Sequence, residues 1–287
     1  MANNPQPQSA AEPPKLKIYF LPNLLTAGNL FCGFVALTKI VEADLSSNDF
    51  GVVNWAPINF ALGCILLACI FDLFDGRVAR MGGHESPFGR EFDSLADLIS
   101  FGVAPAFLVH RVVLRQVFSD QYTEFGWFIA SIYLICGAFR LARFNCLSAM
   151  NLPGAGKDFL GFPIPSAAGL VASLTLLIIQ LNQKDRNLGH WGYLLPVVLL
   201  FLSAMMVSEV RYPSFKSLGL RSTTTFLKVI GAALFVGLLL VLRERILYYV
   251  LPLFFTGYLL YGFIRPYLSR AWRREIEEDE DDGEAEH

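Results

Sequence analysis

Long apolar runs broken by short polar segments set the organisation of this chain. Most runs measure about 17 to 21 residues, the length a helix needs to cross a hydrocarbon core of about 30 Å. Eight membrane helices are predicted on this basis: Leu21–Val41, Val53–Leu73, Leu95–Val113, Phe125–Phe139, Pro165–Leu181, Trp191–Val207, Thr225–Leu242 and Ile246–Ile264. Only Arg243, Glu244 and Arg245 separate the last two, a tight connection that suits a helical hairpin. The pattern therefore predicts an all-α integral membrane protein with about eight transmembrane helices. Residues 1–16, rich in Pro, Gln, Asn and Ala, have no basic start followed by an apolar run and read as a disordered arm rather than a signal peptide.

Charge sets the orientation. The formal net charge of −2 hides a basic body, because the end of the chain is strongly acidic. Nine carboxylates lie between Glu275 and His287, directly after a basic cluster that ends at Arg274. Of the 23 Lys and Arg residues, 16 fall on the side of the N-terminus and seven on the other. By the positive-inside rule both termini are expected in the cytoplasm. The acidic tail is expected to be a solvated end. The five cysteines, Cys32, Cys64, Cys69, Cys136 and Cys146, show neither zinc spacing nor a disulfide framework and read as small apolar residues.

Candidate chemistry gathers at the end of the second run, in FDLFDGRVARMGGHESPFGREFDSLADLISFG. Asp72 and Asp75 are three residues apart and share one helix face. Asp93 and Asp97 are four apart and share a face of the next helix. A loop around residues 81–88 lets the two helices run antiparallel, so that all four carboxylates meet near the membrane surface. Such a cluster cannot remain ionised without compensating charge. Divalent cations supply it, and hard oxygen ligands suit Mg²⁺, Mn²⁺ or Ca²⁺ rather than zinc. Two such ions can also hold a diphosphate. Gly76, Ala79 and Gly89 leave bare backbone for a flat nucleotide, and Arg77 and Arg80 can reach phosphate oxygens. Charged groups at membrane depth are costly and mark function. His84, in the intervening loop, reads as a plain polar residue.

The spacing Asp72-x2-Asp75-Gly76-x2-Ala79-Arg80-x8-Gly89-x3-Asp93-x3-Asp97 matches every position of the CDP-alcohol phosphotransferase signature, and the chain resembles that family. The resemblance implies a six-helix core, a homodimer, and metal ligation by Asp72, Asp75 and Asp93. It implies that Asp97 is the base that deprotonates the acceptor hydroxyl and also touches metal. A cytidine site is implied around Gly76, Ala79 and Gly89, and Arg80 is a candidate to hold the charge of the departing phosphate.

Segments outside the signature bear on the acceptor alcohol. YFLPNLLTAGNLFCGF opens the first helix, and FRLARFN, FLGFPIPSAA and VRYPSFK follow later. Together these resemble the membrane-embedded bacterial phosphatidylserine synthases of the family, over about residues 17–220. The resemblance implies CDP-diacylglycerol and L-serine as substrates, lipid surroundings and no nucleic-acid partner. Arg140, Arg143, Asn145 and Arg211 are candidates for the serine carboxylate or the lipid phosphates, with positive-inside anchoring as the alternative. Asn23 and Thr26 are candidates for the nucleotide or diphosphate, or else polar residues of a helix start. Glycerol 3-phosphate, inositol phosphate and choline stay open as acceptors. An ion-coupled transporter is the reading of another class. It expects acids at mid-membrane and repeated halves, whereas these acids sit at one face and no repeat is visible. The expected division is an arm at 1–16, a catalytic core at 17–222, a hairpin at 223–266 and a tail at 267–287.

Overall fold

Helix α1 (Phe20–Glu42) reverses the pattern of a soluble amphipathic helix. Thr26, Asn29, Gly33 and Ala36 face inward, while Phe20, Phe31 and Phe34 point outward. In lipid, apolar rings lose nothing by facing out, and small or hydrogen-bonding side chains are what let helices approach. The structure is a computed structural model that describes residues 19–45, 53–81, 86–118, 123–150, 158–182, 192–213 and 247–264.

Helix α2 (Ala56–Met81) forms the most extensive helix pair with α1. Gly28 leaves room there for the ring of Phe71. A continuous helical run, α3, covers 87–117 and contains two π-helical stretches, Leu98–Val103 and His110–Leu114. Its start is encoded locally: the Ser86 hydroxyl accepts from the Gly89 N–H at 3.0 Å, and Pro87 occupies the first turn, where no N–H is needed. Pro105 within α3 cannot bond the carbonyl of Phe101. The buried Tyr133 hydroxyl donates to that carbonyl instead, at 3.1 Å. α3 packs closely on α1, where the Ser100 hydroxyl donates to the Asn29 carbonyl at 2.9 Å beside Gly33.

Helix α4 (Thr123–Ala149) carries Tyr133 and packs on helix α6 (Leu194–Val207). Helix α5 (Ile164–Asn182) precedes α6, and helix α7 (Leu247–Ile264) packs against α5. The ring of Phe255 on α7 occupies the space left by Gly169 of α5. Strands β1 (Asp158–Leu160) and β2 (Arg211–Pro213) pair antiparallel with Phe159 opposite Tyr212. Apart from these two short strands, the described elements are helical, as expected for an all-α membrane protein.

Among the described residues, five helices are long and apolar enough to cross a membrane, and Leu194–Val207 and Tyr249–Gly262 are shorter apolar helices. The expected span Thr225–Leu242, the arm at 1–16, His84 and the acidic tail lie outside the described residues. The other seven expected spans fall on described helices, and three of the helices extend well beyond them. α2 continues beyond Leu73 to Met81, α3 begins at Pro87 rather than Leu95, and α4 continues beyond Phe139 to Ala149. Hydropathy stops at charged residues, but the helices do not, because those residues face one another.

The end of α6 shows how one cation orders several segments. A helix leaves its last four carbonyls without intrahelical partners. Here Ala204 O accepts from the Ser208 N–H at 3.0 Å, and Met205 O accepts from the Phe162 N–H at 3.0 Å. Arg143 serves the next three carbonyls, donating to Met206 at 3.3 Å, Val207 at 2.8 Å and Ser208 at 3.0 Å. It also reaches Leu160 of β1 at 3.0 Å. Gly161, at φ 79°, lets the backbone turn against this guanidinium, where a Cβ would lie 2.8 Å from Arg143 Nη2. FRLARFN, FLGFPIPSAA and VRYPSFK thus converge on one joint.

Two stability outcomes follow. Gly33→Ala places a Cβ 2.8 Å from the Ser100 Cα. The overlap should cost about 1–3 kcal/mol, read as a lowered thermal denaturation midpoint in detergent. Arg143→Lys cannot span four carbonyls with one ammonium. It should lower the same midpoint by an amount equivalent to about 2–4 kcal/mol, since each lost charge-assisted bond costs roughly 1.5–3 kcal/mol before rearrangement.

Candidate active site

The overlong polar ends of α2, α3 and α4 enclose a cavity of about 450 Å³. Asp72, Asp75, Gly76 and Arg77 reach it from α2, Arg90, Asp93 and Asp97 from α3, and Arg140 and Asn145 from α4. Pro163 and Pro165 continue its wall at the start of α5, and Tyr258 completes it from α7. All four aspartates of the spacing motif therefore meet on one surface, though they come from two helices.

Each carboxylate is held differently. Asp75 is buried, and its Oδ2 accepts from the Thr26 hydroxyl at 2.9 Å. Asp97 is buried too, and its Oδ1 accepts from the Asn29 amide at 3.0 Å. Asp72 and Asp93 are half-buried. Asp72, Asp75 and Asp93 can each direct one oxygen so that the three lie within 4.8 Å of one another. Three hard oxygen donors at this separation suit a divalent cation such as Mg²⁺, Mn²⁺ or Ca²⁺. Asp97 stands beside this trio, in electrostatic contact with Asp72, Asp93 and Asp75. Arg140 is buried on the opposite wall within electrostatic range of Asp97 and Asp72. It is a compensating charge carried by the protein itself.

Other expected residues divide by position. Gly76 lines the cavity, and a Cβ there would meet nothing within 4 Å, so the backbone is open to a close-fitting ligand. Gly89 differs: a Cβ there would face Asn23 Oδ1 at 3.4 Å and Ser86 Oγ at 3.3 Å, so its missing side chain serves helix packing. Asn23 and Thr26 stand behind the aspartates on α1 and buttress α3 and α2. Asn145 lines the cavity while donating to Glu91 at 3.1 Å and Ser94 at 3.0 Å. Arg143 does not line the cavity, and its Nη1 and Nη2 donate to the carbonyls of Leu160, Met206, Val207 and Ser208. Ala79 and Arg80 lie in the last turn of α2, and Arg211 opens β2. The side chains of Arg80 and Arg211 lie outside the described part of the structure.

Three contributors were not singled out from the sequence. Asn29 had a signal, since it follows Thr26 by three residues in an apolar run. Arg90 had a weaker one, next to Gly89 and three residues before Asp93. Tyr258 had none, because it lies 161 residues after Asp97 in an unremarkable apolar helix.

Comparison with known proteins agrees with this geometry. The CDP-alcohol phosphatidyltransferase family model matches residues 19–210. A CDP-diacylglycerol–serine O-phosphatidyltransferase of Helicobacter pylori is 35% identical over 249 residues, covering 86% of this chain and 91% of that relative. One of the same name from Bacillus subtilis is 33% identical over 197 residues, covering 69% of this chain and 92% of that relative. An archaetidylserine synthase of Methanothermobacter thermautotrophicus is 31% identical over 202 residues, covering 69% and 72% respectively. The matched region contains all four cavity aspartates together with the helices that carry them, and on that footing the chain belongs to the CDP-alcohol phosphatidyltransferase family.

Proposed function

We propose that this membrane enzyme transfers the phosphatidyl group of CDP-diacylglycerol to the hydroxyl of L-serine, giving phosphatidylserine and CMP. The observation that carries the reading is the meeting of Asp72, Asp75, Asp93 and Asp97 on one cavity that also holds Arg140. The choice of serine is supported by relatives named for serine transfer in bacteria. A phosphorylated acceptor is less well matched, because Arg143 is committed to backbone carbonyls and leaves fewer cations for a second phosphate.

Asp72, Asp75 and Asp93 are the proposed ligands of divalent cations, Mg²⁺ or Mn²⁺, which when bound supply charge neutralisation for the diphosphate. Gly76 gives the nucleotide a bare stretch of α2, and Arg77, Arg80 and Arg90 offset phosphate charge. Asp97 takes the proton of the serine hydroxyl. The hydroxyl oxygen bonds to the phosphorus nearer the diacylglycerol as the bond from that phosphorus to the bridging oxygen breaks. CMP departs with the electron pair. The amide of Asn29 fixes the Asp97 carboxylate in position, so that no reorganisation is needed at the moment of transfer. Direct proton transfer from serine to Asp97 needs the acceptor and the lipid side by side, and the lining of one cavity by all four aspartates supports that reading.

We place the cavity and both termini at the cytoplasmic face of a bacterial membrane, on the bias of 16 to seven cations among the 23. A homodimer and the division into a core at 17–222 with a C-terminal hairpin belong to the same proposal.

Two measurements test it. Purified protein supplied with CDP-diacylglycerol, Mn²⁺ or Mg²⁺, and each acceptor in turn should release CMP with serine well above the rate with water, and chelation should abolish that release. Equal rates with serine and water would remove serine as the acceptor. Asp97→Asn should lower serine-dependent CMP release at least about 100-fold while CDP-diacylglycerol still binds. Retained turnover in that variant would show that another group is the base.

A further inference from the structure

The last helix lies outside residues 19–210, the region shared with the family model, yet it closes the cavity. Phe254, Phe255 and Tyr258 of α7 face the aspartates across it. The position of Tyr258 is set by more than its own helix. Its ring packs against Phe162 and Tyr212, with centroids 5.7 Å away in both cases. Tyr212 in turn donates its hydroxyl to the Leu259 carbonyl at 3.3 Å, and its ring lies against Gly262. The phenol of Tyr258 lies within electrostatic range of Arg140, and Arg140 is within range of Asp97. A path of polar groups thus runs from the proposed base through Arg140 to α7.

The size of serine gives this path a meaning. Its hydroxyl oxygen and carboxylate are separated by three carbon–carbon or carbon–oxygen bonds, which at standard bond lengths puts them no more than about 4–5 Å apart. With the hydroxyl at Asp97, the carboxylate comes within reach of Arg140, the buried cation of the cavity wall that interacts with Asp97. Asn145 is engaged with Glu91 and Ser94, and Arg143 with the end of α6. A phenol is a donor that adds no further positive charge next to a diphosphate site. Resting on the functional reading above, we infer that Tyr258 joins Arg140 in binding the acceptor's carboxylate, and that α7 thereby selects an amino-acid alcohol over an alcohol without one.

Full-length protein in detergent with CDP-diacylglycerol and Mn²⁺ or Mg²⁺ provides the test, using L-serine and serinamide, whose carboxylate is replaced by a neutral amide. Tyr258→Phe keeps the ring packing and removes only the hydroxyl. Its KM for serine should rise about tenfold, the loss expected for one hydrogen bond to a charged group. Its KM for CDP-diacylglycerol and its thermal midpoint should stay at the wild-type values. The penalty for replacing serine by serinamide should be smaller in the variant than in the wild type, because the two changes remove one interaction. An unchanged KM for serine, or an equal rise in both KM values, would overturn the inference while leaving the reaction in place. A wild-type protein that releases no serine-dependent CMP would overturn the functional reading and the inference with it.

Discussion

Four carboxylates brought together on one cavity at one end of the apolar helices are the constraint on which this structure depends. Like charges a few ångströms apart repel, and removal from water raises the cost. Such a cluster survives only if every neighbouring element contributes to compensating it. Arg140 provides a cation from α4, the amide of Asn29 and the hydroxyl of Thr26 provide donors from α1, and three oxygens remain arranged for a divalent ion. The inward polar stripe of α1 is a consequence of the same need. In a soluble helix that face would be apolar.

The cluster also explains where the helices stop. α2, α3 and α4 all run past their apolar segments at the same end, and the excess length is where the cavity forms. At 1.5 Å per residue, the eight residues from Leu73 to Met81 add about 12 Å of helix to α2. Asp72, Asp75, Asp93, Asp97 and Arg140 on these helices turn toward the shared cavity. Close helix contact needs small residues, and Gly28 against Phe71 and Gly33 against Ser100 supply it. Neither contact touches the cavity, yet both set the separation of α1 from the helices that bear the aspartates.

A second joint holds the far wall. Arg143 joins β1 and the end of α6, Gly161 turns the chain against it, and Phe162 and Tyr212 build the aromatic cluster on which α7 rests. A cation that looks from its position like a ligand for substrate serves here as a helix cap, satisfying carbonyls at the end of α6. The cavity is thus bounded on one side by charge and on the other by a packed aromatic support. The last helix is part of that support rather than an appendage.

Much of this was legible along the chain. Run lengths gave the membrane helices, because a bilayer imposes its thickness on any segment that crosses it. The spacings of three between Asp72 and Asp75 and of four between Asp93 and Asp97 put each pair on one helix face, because helical geometry is local. The cap at Ser86 and Pro87 is local too, but the apolar run by itself put the start of that helix at Leu95. What the sequence could not settle was partnership at a distance. Arg140 and Arg143 are three residues apart on one helix and chemically identical, yet one faces the aspartates and the other ends α6. Tyr258 belongs to the site because Gly169 and Gly262 admit the rings of Phe255 and Tyr212 and so let α7 pack inward. Local periodicity determines which face a residue occupies. Only the packed helices decide what that face meets, since this depends on atoms far away in the chain.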